Sequence, residues 1–273
     1  MTASFDTIPH DQLMRSVARR IVDKDILRLI KMWLKAPVEE TDKDGRTRLT
    51  GGKRTKQGTP QGGVISPLLA NLYMNRFLKH WRLTEQGRKL KAHVIAYADD
   101  FVILSRGHAV EAKAWARTVM TRLGLSLNEA KTSLRNAWNE RFDFLGYSFG
   151  PHYSRKDGRR YLGASPSKKS VARLKPRISA ILHRGNKEPW AEVCIKLNRV
   201  LKGWRGYFGY GTCSPAHCAI DHHVAARVRC FLVERHRVPS LGTRRFSDAT
   251  VFGELGVVRL RHLAVRPTPW ALR

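Results

Sequence analysis

The stretch from residue 92 to 105 reads AHVIAYADDFVILS, and it constrains the fold more than any other part of the chain. Two runs of β-branched and apolar residues flank an adjacent pair of carboxylates, Asp99 and Asp100. Runs of that kind separated by a short polar break read as a β-hairpin. A hairpin built for burial needs helices over one of its faces, and the aspartates then sit at or beside the turn. Taken alone they equally mark a solvated turn, because Asp tolerates αL geometry and bonds its own backbone. Beside strands and in a cationic chain they also suit a divalent metal held between protein carboxylates and phosphate oxygens.

The charge is large. Among 273 residues, 51 Lys and Arg oppose 22 Asp and Glu, a net +29 that points to a polyanionic partner. Residues 151–273 carry +18 of it and residues 1–150 carry +11. A hydrophobic share of 42% supports a real core and argues against disorder throughout. No apolar run reaches the ~18 to 20 residues that cross a bilayer. Without a secretory signal at Met1, the four cysteines read as reduced thiols and the chain as cytoplasmic. Cys213, Cys218, His222 and Cys230 can be drawn as a zinc site, yet no CxxC pair is present and the Cys218/His222 spacing equally suits one helix face.

Apolar periodicity predicts helices over 10–36, from Ser66 through Trp81, and over 110–123, the last closed by Gly124. Residues 41–63 form a Gly-, Lys- and Arg-rich loop or hairpin that can approach phosphates. LSLN (125–128) and FDFLGYSF (142–149) are further strands. The expected fold class is α+β, an antiparallel sheet with helices packed on one face over residues 1–150. A basic linker with a turn at Asp157-Gly158 covers 151–170. Residues 171–273 are helical, with helices over 171–183, 190–207 and 219–237.

YADD at 97–100 resembles the polymerase hairpin of reverse transcriptases. TPQGGVISPLLANLYMNRFLKHW at 59–81 is similar to the segment under the template and incoming nucleotide in group II intron-encoded reverse transcriptases. LGLSLNEAKTSL at 123–134 and FDFLGYSF at 142–149 resemble the next two blocks in the same order, and LNRVLKGWRGYFGYG at 197–211 resembles the RNA-binding maturase segment. The resemblance implies an RNA-directed DNA polymerase and intron maturase, with a palm over 1–150 and a helical thumb over 171–273. It implies Mg²⁺, with Mn²⁺ as an alternative, at the catalytic carboxylates Asp99 and Asp100. The implied partners are group II intron RNA, an RNA/DNA primer-template and deoxynucleoside triphosphates.

Other positions are read beside that resemblance. Gln61 and Gly62 offer an amide side chain and open backbone where a nucleotide or template passes, or form an ordinary loop before a helix. Tyr97 stacks near the primer end or is core, and Lys131 places a charge near phosphate or sits in a solvated turn. Lys168, Lys169, Arg173, Lys175, Arg177, Lys202 and Arg205 are the candidate RNA contacts, with a solvated face as the plain alternative. Trp204 and Phe208, four apart, are expected to be buried.

Laying Phe5 and Asp6 on the end of the family's first metal-aspartate pattern puts that aspartate one position before Met1, with the fingers region upstream of it. The expectation is a truncated chain that extends no primer by itself unless a complementing chain supplies the missing carboxylate. The rival expectation is a non-catalytic remnant that binds intron RNA and assists splicing.

Overall fold

The computed structural model describes residues 3–4, 7–41, 47–52, 55–59, 63–154 and 156–263. The chain divides into two compact units, Met1–Leu134 and Arg135–Arg273.

In the first unit, strand β1 (Ala3–Ser4) precedes helices α1 (His10–Ala18) and α2 (Lys24–Leu34). Helix was expected over 10–36 on two apolar stripes, and two helices form. The apolar stripe Leu13, Val17, Ile21 slips out of phase with Ile30 and Leu34, and Asp23 restarts the helix by accepting from the amides of Asp25 (2.8 Å) and Ile26 (3.0 Å). Ile26 lies outside the core, 46% exposed. Strands β2 (Pro37–Thr41) and β3 (Thr47–Gly51) form an antiparallel hairpin, so part of the basic 41–63 segment is a hairpin. Helix α3 (Ser66–Leu83) buries Leu69, Ala70, Tyr73, Met74, Phe77 and Trp81 on one stripe. Ser66 is its first residue, as expected, and the helix runs two residues beyond Trp81. The short α4 (Gln86–Lys89) leads into the hairpin of β4 (Ala92–Tyr97) and β5 (Asp100–Ser105). Helix α5 (Ala109–Arg122) and strand β6 (Ser126–Leu127), which pairs with β1, complete the unit.

Helix α5 ends as the sequence predicts. Gly124 at φ 69° closes a Schellman motif in which its amide donates to Thr121 and that of Leu125 to Met120, both at 2.9 Å. A methyl group at position 124 would lie 2.7 Å from Pro9 Cγ. Gly124→Ala therefore combines a left-handed alanine with a clash against a rigid ring. It is expected to lower the stability of the unit by about 1–3 kcal/mol, read as a reduced urea midpoint at unchanged m-value.

In the second unit, β7 (Phe142–Phe144), β8 (Tyr147–Tyr153) and β9 (Arg160–Pro166) form an antiparallel sheet in that order. The expected 151–170 linker is thus mostly strand, and the boundary between compact units falls at 134/135. The cause lies in which face is buried. Strand β8 buries Ser148 and His152, with Gly150 between them, so small and polar residues face inward and the usual apolar alternation is inverted. The turn at Asp157-Gly158 is present, with Gly158 at φ 66°. Leu145 and Gly146, at φ 50° and 81°, make the two-residue β7–β8 loop, a type I′ geometry.

Helices α6 (Lys168–Ile181), α7 (Trp190–Tyr207) and α8 (Ser214–Arg235) bury Leu174 and Ile178, Leu197 and Leu201, and Ile220, Val224 and Val228 in one core. The segment after α8 is strapped onto them. Asn198 accepts from the Val258 amide and donates to the Gly256 carbonyl, and buried Asp221 accepts from the Leu260 amide at 2.8 Å. Among the described residues the strands make separate small sheets, not one shared sheet. The α+β class stands. No helix among the described residues is long and apolar enough to cross a membrane.

Candidate active site and RNA-binding surface

The β4–β5 hairpin is tight. Tyr97 pairs with Asp100 across a two-residue loop, Ala98 and Asp99, and only Ala98 has positive φ, 51°. That is the pattern of a type II′ turn, whose first loop position favours Gly. Alanine there costs about 1 kcal/mol in local strain, which the strands on either side must hold.

The strand register decides where the carboxylates point. Ala92, Val94 and Ala96 on β4 pair with Ser105, Ile103 and Phe101 on β5. Ala92, Phe101, Val94, Ala96 and Ile103 are buried or packed against the core, and Phe101 is fully buried. The alternate face carries His93, Ile95 and Tyr97 opposite Leu104, Val102 and Asp100. It is open: Ile95 is 48% exposed and Tyr97 65%. Asp100, half-buried, shares this face with Tyr97, and Asp99 is exposed in the loop beside it.

Three of the other expected contacts of this site can be located only in part. Gln61 and Gly62 lie outside the described residues. The residues leading to them are pinned to the start of α1, where the Gly58 amide donates to Ile8 (2.8 Å) and the His10 amide to Lys56 (2.9 Å). Lys131 is exposed on a 3-10 turn, Glu129–Lys131, capped by Asn128, and not on the hairpin. The structure therefore brings Tyr97 to the aspartates and does not bring Lys131 onto the same element.

Of the basic residues in the second unit, Lys168, Lys169, Arg173 and Arg177 are exposed on α6, and Lys175 is half-buried. Lys169, Arg173 and Arg177 are four apart and form one row along the helix. Ser167 caps α6, accepting from the Ser170 amide at 3.2 Å, so Lys168 and Lys169 occupy the first turn with no acidic residue there. Ammonium groups at the positive end of a helix dipole are unfavourable until an anion arrives.

Lys202 is exposed on α7. Arg205 is half-buried and donates to the Leu263 carbonyl at 3.3 Å, so it braces the segment after α8. Trp204 and Phe208 stack at 4.7 Å but are only partly buried, a smaller burial than expected. The drawn zinc site does not assemble: the Cys213 thiol donates to the Tyr210 carbonyl at 2.8 Å, burial pushes its pKa up, and Cys230 is exposed. No group of three metal-ligating side chains occurs among the described residues.

Residues 1–149 match the family described as "Reverse transcriptase (RNA-dependent DNA polymerase)", more than half of the chain. The chain belongs to the reverse transcriptase family. Residues 171–248 match the group II intron, maturase-specific domain, which begins inside α6 and ends beyond α8. The intron-type reverse transcriptase expected from YADD and its neighbouring blocks is borne out at the level of family.

Among curated relatives, this reverse transcriptase chain is 30% identical to protein YkfC of Escherichia coli over 201 residues, 62% of this chain and 50% of that protein. It is 37% identical to the group II intron-encoded protein LtrA of Lactococcus lactis over 75 residues, 28% of this chain and 11% of LtrA. The chain thus spans half or less of the length of these relatives. Among solved structures it is similar to a telomerase from Candida albicans, with a TM-score of 0.44 and 13% identity over 96% of this chain and 50% of that one.

Proposed function

We propose that this chain is the palm and maturase part of a group II intron reverse transcriptase. In that reading the open face of β4–β5 receives the end of an RNA/DNA primer-template, and the helical unit binds intron RNA. One observation carries it: the register puts Tyr97 and Asp100 on the open sheet face with Asp99 exposed in the adjoining turn, while Phe101 anchors the opposite face in the core.

Two adjacent carboxylates fit Mg²⁺ or Mn²⁺ of the kind that completes its coordination with substrate phosphates and water. When bound, such an ion supplies Lewis-acid stabilisation of the phosphoryl oxygens during nucleotide transfer. Asp99 and Asp100 would hold it, and the ring of Tyr97 offers a surface for the terminal base pair. Deoxynucleoside triphosphates are the substrates, and the setting is intracellular.

A second reading, a non-catalytic RNA-binding remnant that assists splicing, is supported by the match of residues 171–248 to the maturase-specific domain, which does not involve the hairpin carboxylates.

The discriminating measurement is Mn²⁺ binding by electron paramagnetic resonance in the presence of a primed RNA template. The polymerase reading expects binding that falls at least about tenfold in Asp99→Asn and in Asp100→Asn, with RNA affinity unchanged. Template-bound protein whose Mn²⁺ affinity ignores both substitutions would leave the remnant reading standing. Nucleotide incorporation by the purified chain, lost in Asp99→Asn, would show that the catalytic carboxylates are complete in this polypeptide.

A further inference from the structure

A cavity of about 1030 Å³ opens in the second unit, between the β8–β9 hairpin and the connection from α7 to α8. Its lining is one-sided in charge. Among the described residues Arg141, Lys156, Arg205 and Arg261 contribute to the wall and no Asp or Glu does, although Arg261 also lies 3.8 Å from Asp221 behind it. None of these except Arg205 stands out in the sequence, because the others are scattered over the loop before β7, the β8–β9 turn and the segment after α8.

At its floor His152 and Tyr161 face each other across β8 and β9 as a directly paired couple, their rings stacked at 5.8 Å and 29°. Tyr161 is fixed twice, by that stack and by a 2.9 Å hydrogen bond between its hydroxyl and Thr212 Oγ1, yet it remains 38% exposed. A ring already held in place loses little entropy when something stacks on it. His152 is 6% exposed and its Nε2 has no hydrogen-bond partner. Burial, reinforced by the charge of Arg141, lowers the pKa of His152, so its imidazole is neutral near pH 7.

Such a wall asks for a ligand with both a negative charge and a flat apolar face. Inorganic phosphate has no use for the tyrosine, and a paired duplex cannot enter a recess with its bases stacked inside. We propose that this cavity takes one unpaired nucleotide of the bound RNA, with its base on Tyr161 and its phosphate among the arginine and lysine side chains. The proposal rests on the reading of the helical unit as an RNA binder and assigns to it a site for a bulged or looped-out residue. Splayed bases stacked on aromatic rings beside cationic side chains are how proteins commonly read single-stranded positions in RNA.

The test uses the full chain and two RNA hairpins of equal length, one with a continuous stem and one with a single bulged 2-aminopurine. The bulged RNA is expected to bind about tenfold more tightly, in the range of one base–aromatic stack, with quenching of the 2-aminopurine fluorescence. Tyr161→Ala is expected to remove both the preference and the quenching while leaving affinity for the continuous stem unchanged. Tyr161→Phe, which loses only the bond to Thr212, keeps both. A cooperative melt of each variant confirms that the unit is folded.

Equal affinity for the two RNAs overturns the cavity as a nucleotide site and leaves RNA binding intact. Failure to bind either RNA overturns the RNA-binding reading and this site with it. Adenosine monophosphate that competes at the same concentration as the bulged RNA shows a free-nucleotide site and overturns the assignment to RNA.

Discussion

Raising NaCl from 50 to 200 mM is expected to weaken RNA binding by this chain roughly 10²- to 10³-fold. The expectation follows from counterion release, in which each neutralised phosphate contributes about −0.7 to −0.9 to the slope of log K against log salt. Lys168, Lys169, Arg173, Arg177 and Lys202 are all exposed, and none of them is engaged in an ion pair among those the structure shows. Five such contacts plus one from the rest of the +18 half are enough for that loss. Changing Lys169, Arg173 and Arg177 together to glutamine removes one row of α6 and is expected to reduce the slope by about 2, uniformly across RNA sequences. These side chains are exposed, so the melting temperature should barely move. A slope near zero, or a triple variant with an unchanged slope, would mean that the basic face is merely solvated. Arg205 serves as the internal contrast. Because it braces Leu263, Arg205→Gln is a change in packing as well as in charge.

Much of this architecture was legible in the residues, and the exceptions have identifiable causes. The β4–β5 hairpin, the Gly124 stop and the span of α7 follow from local rules that tertiary context does not override: alternating β-branched runs, a left-handed glycine, a sustained helical period. The break between α1 and α2 was also visible as a phase slip after Ile21, but Asp23 in RRIVDKDI carries the decisive information as a cap rather than as part of a helix. The start of β8 lies in the expected strand stretch 142–149, but the rest of β8 and all of β9 were not legible. Their buried positions are Ser148, Gly150, His152, Ala164 and Pro166, so the hydrophobic pattern that announces a strand is missing, and the basic surface of the hairpin reads as linker.

The same division holds at the functional surfaces. Asp99 and Asp100 stood out as candidates because chemistry and local structure coincide on adjacent residues. Lys131 was grouped with them through family order along the chain, which does not report distance in space. The side chains around the cavity were missed for the complementary reason: Arg141, His152, Tyr161 and Arg261 meet only through folding, and no two of them share a local motif. Arg205 illustrates a third limit. Its sequence neighbourhood of aromatics and cations does not tell that the guanidinium donates to the Leu263 carbonyl while lining the cavity, and only the fold shows both.

Phe77→Ala is expected to destabilise the first unit by about 3–5 kcal/mol, the range for deleting a fully buried aromatic ring. Phe77 is 0% exposed, with its ring 5.3 Å from Phe101 and 5.6 Å from Trp115. Trp115 in turn packs edge-on against Trp81 at 5.2 Å. This cluster joins α3 and α5 to the inner face of the hairpin, and Phe101 is the residue next to Asp100. Deleting the Phe77 ring therefore leaves a void under the strand that aims a candidate metal ligand outward, at a turn already holding Ala98 at positive φ. Phe77→Leu refills most of the space and should cost about 1–1.5 kcal/mol. The measurement is hydrogen exchange of the β4 and β5 amides: if they open with the unit, their protection falls by roughly 10²- to 10⁴-fold in the alanine variant and about tenfold in the leucine variant. Mn²⁺ affinity measured on the still-folded fraction then separates two roles for the ring. A loss beyond the unfolded fraction means that the cluster positions Asp100, whereas a loss equal to it means that the cluster only holds the unit together. Protection unchanged in both variants would contradict the anchoring of the hairpin through Phe101, and with it the physical basis for an outward-facing carboxylate pair.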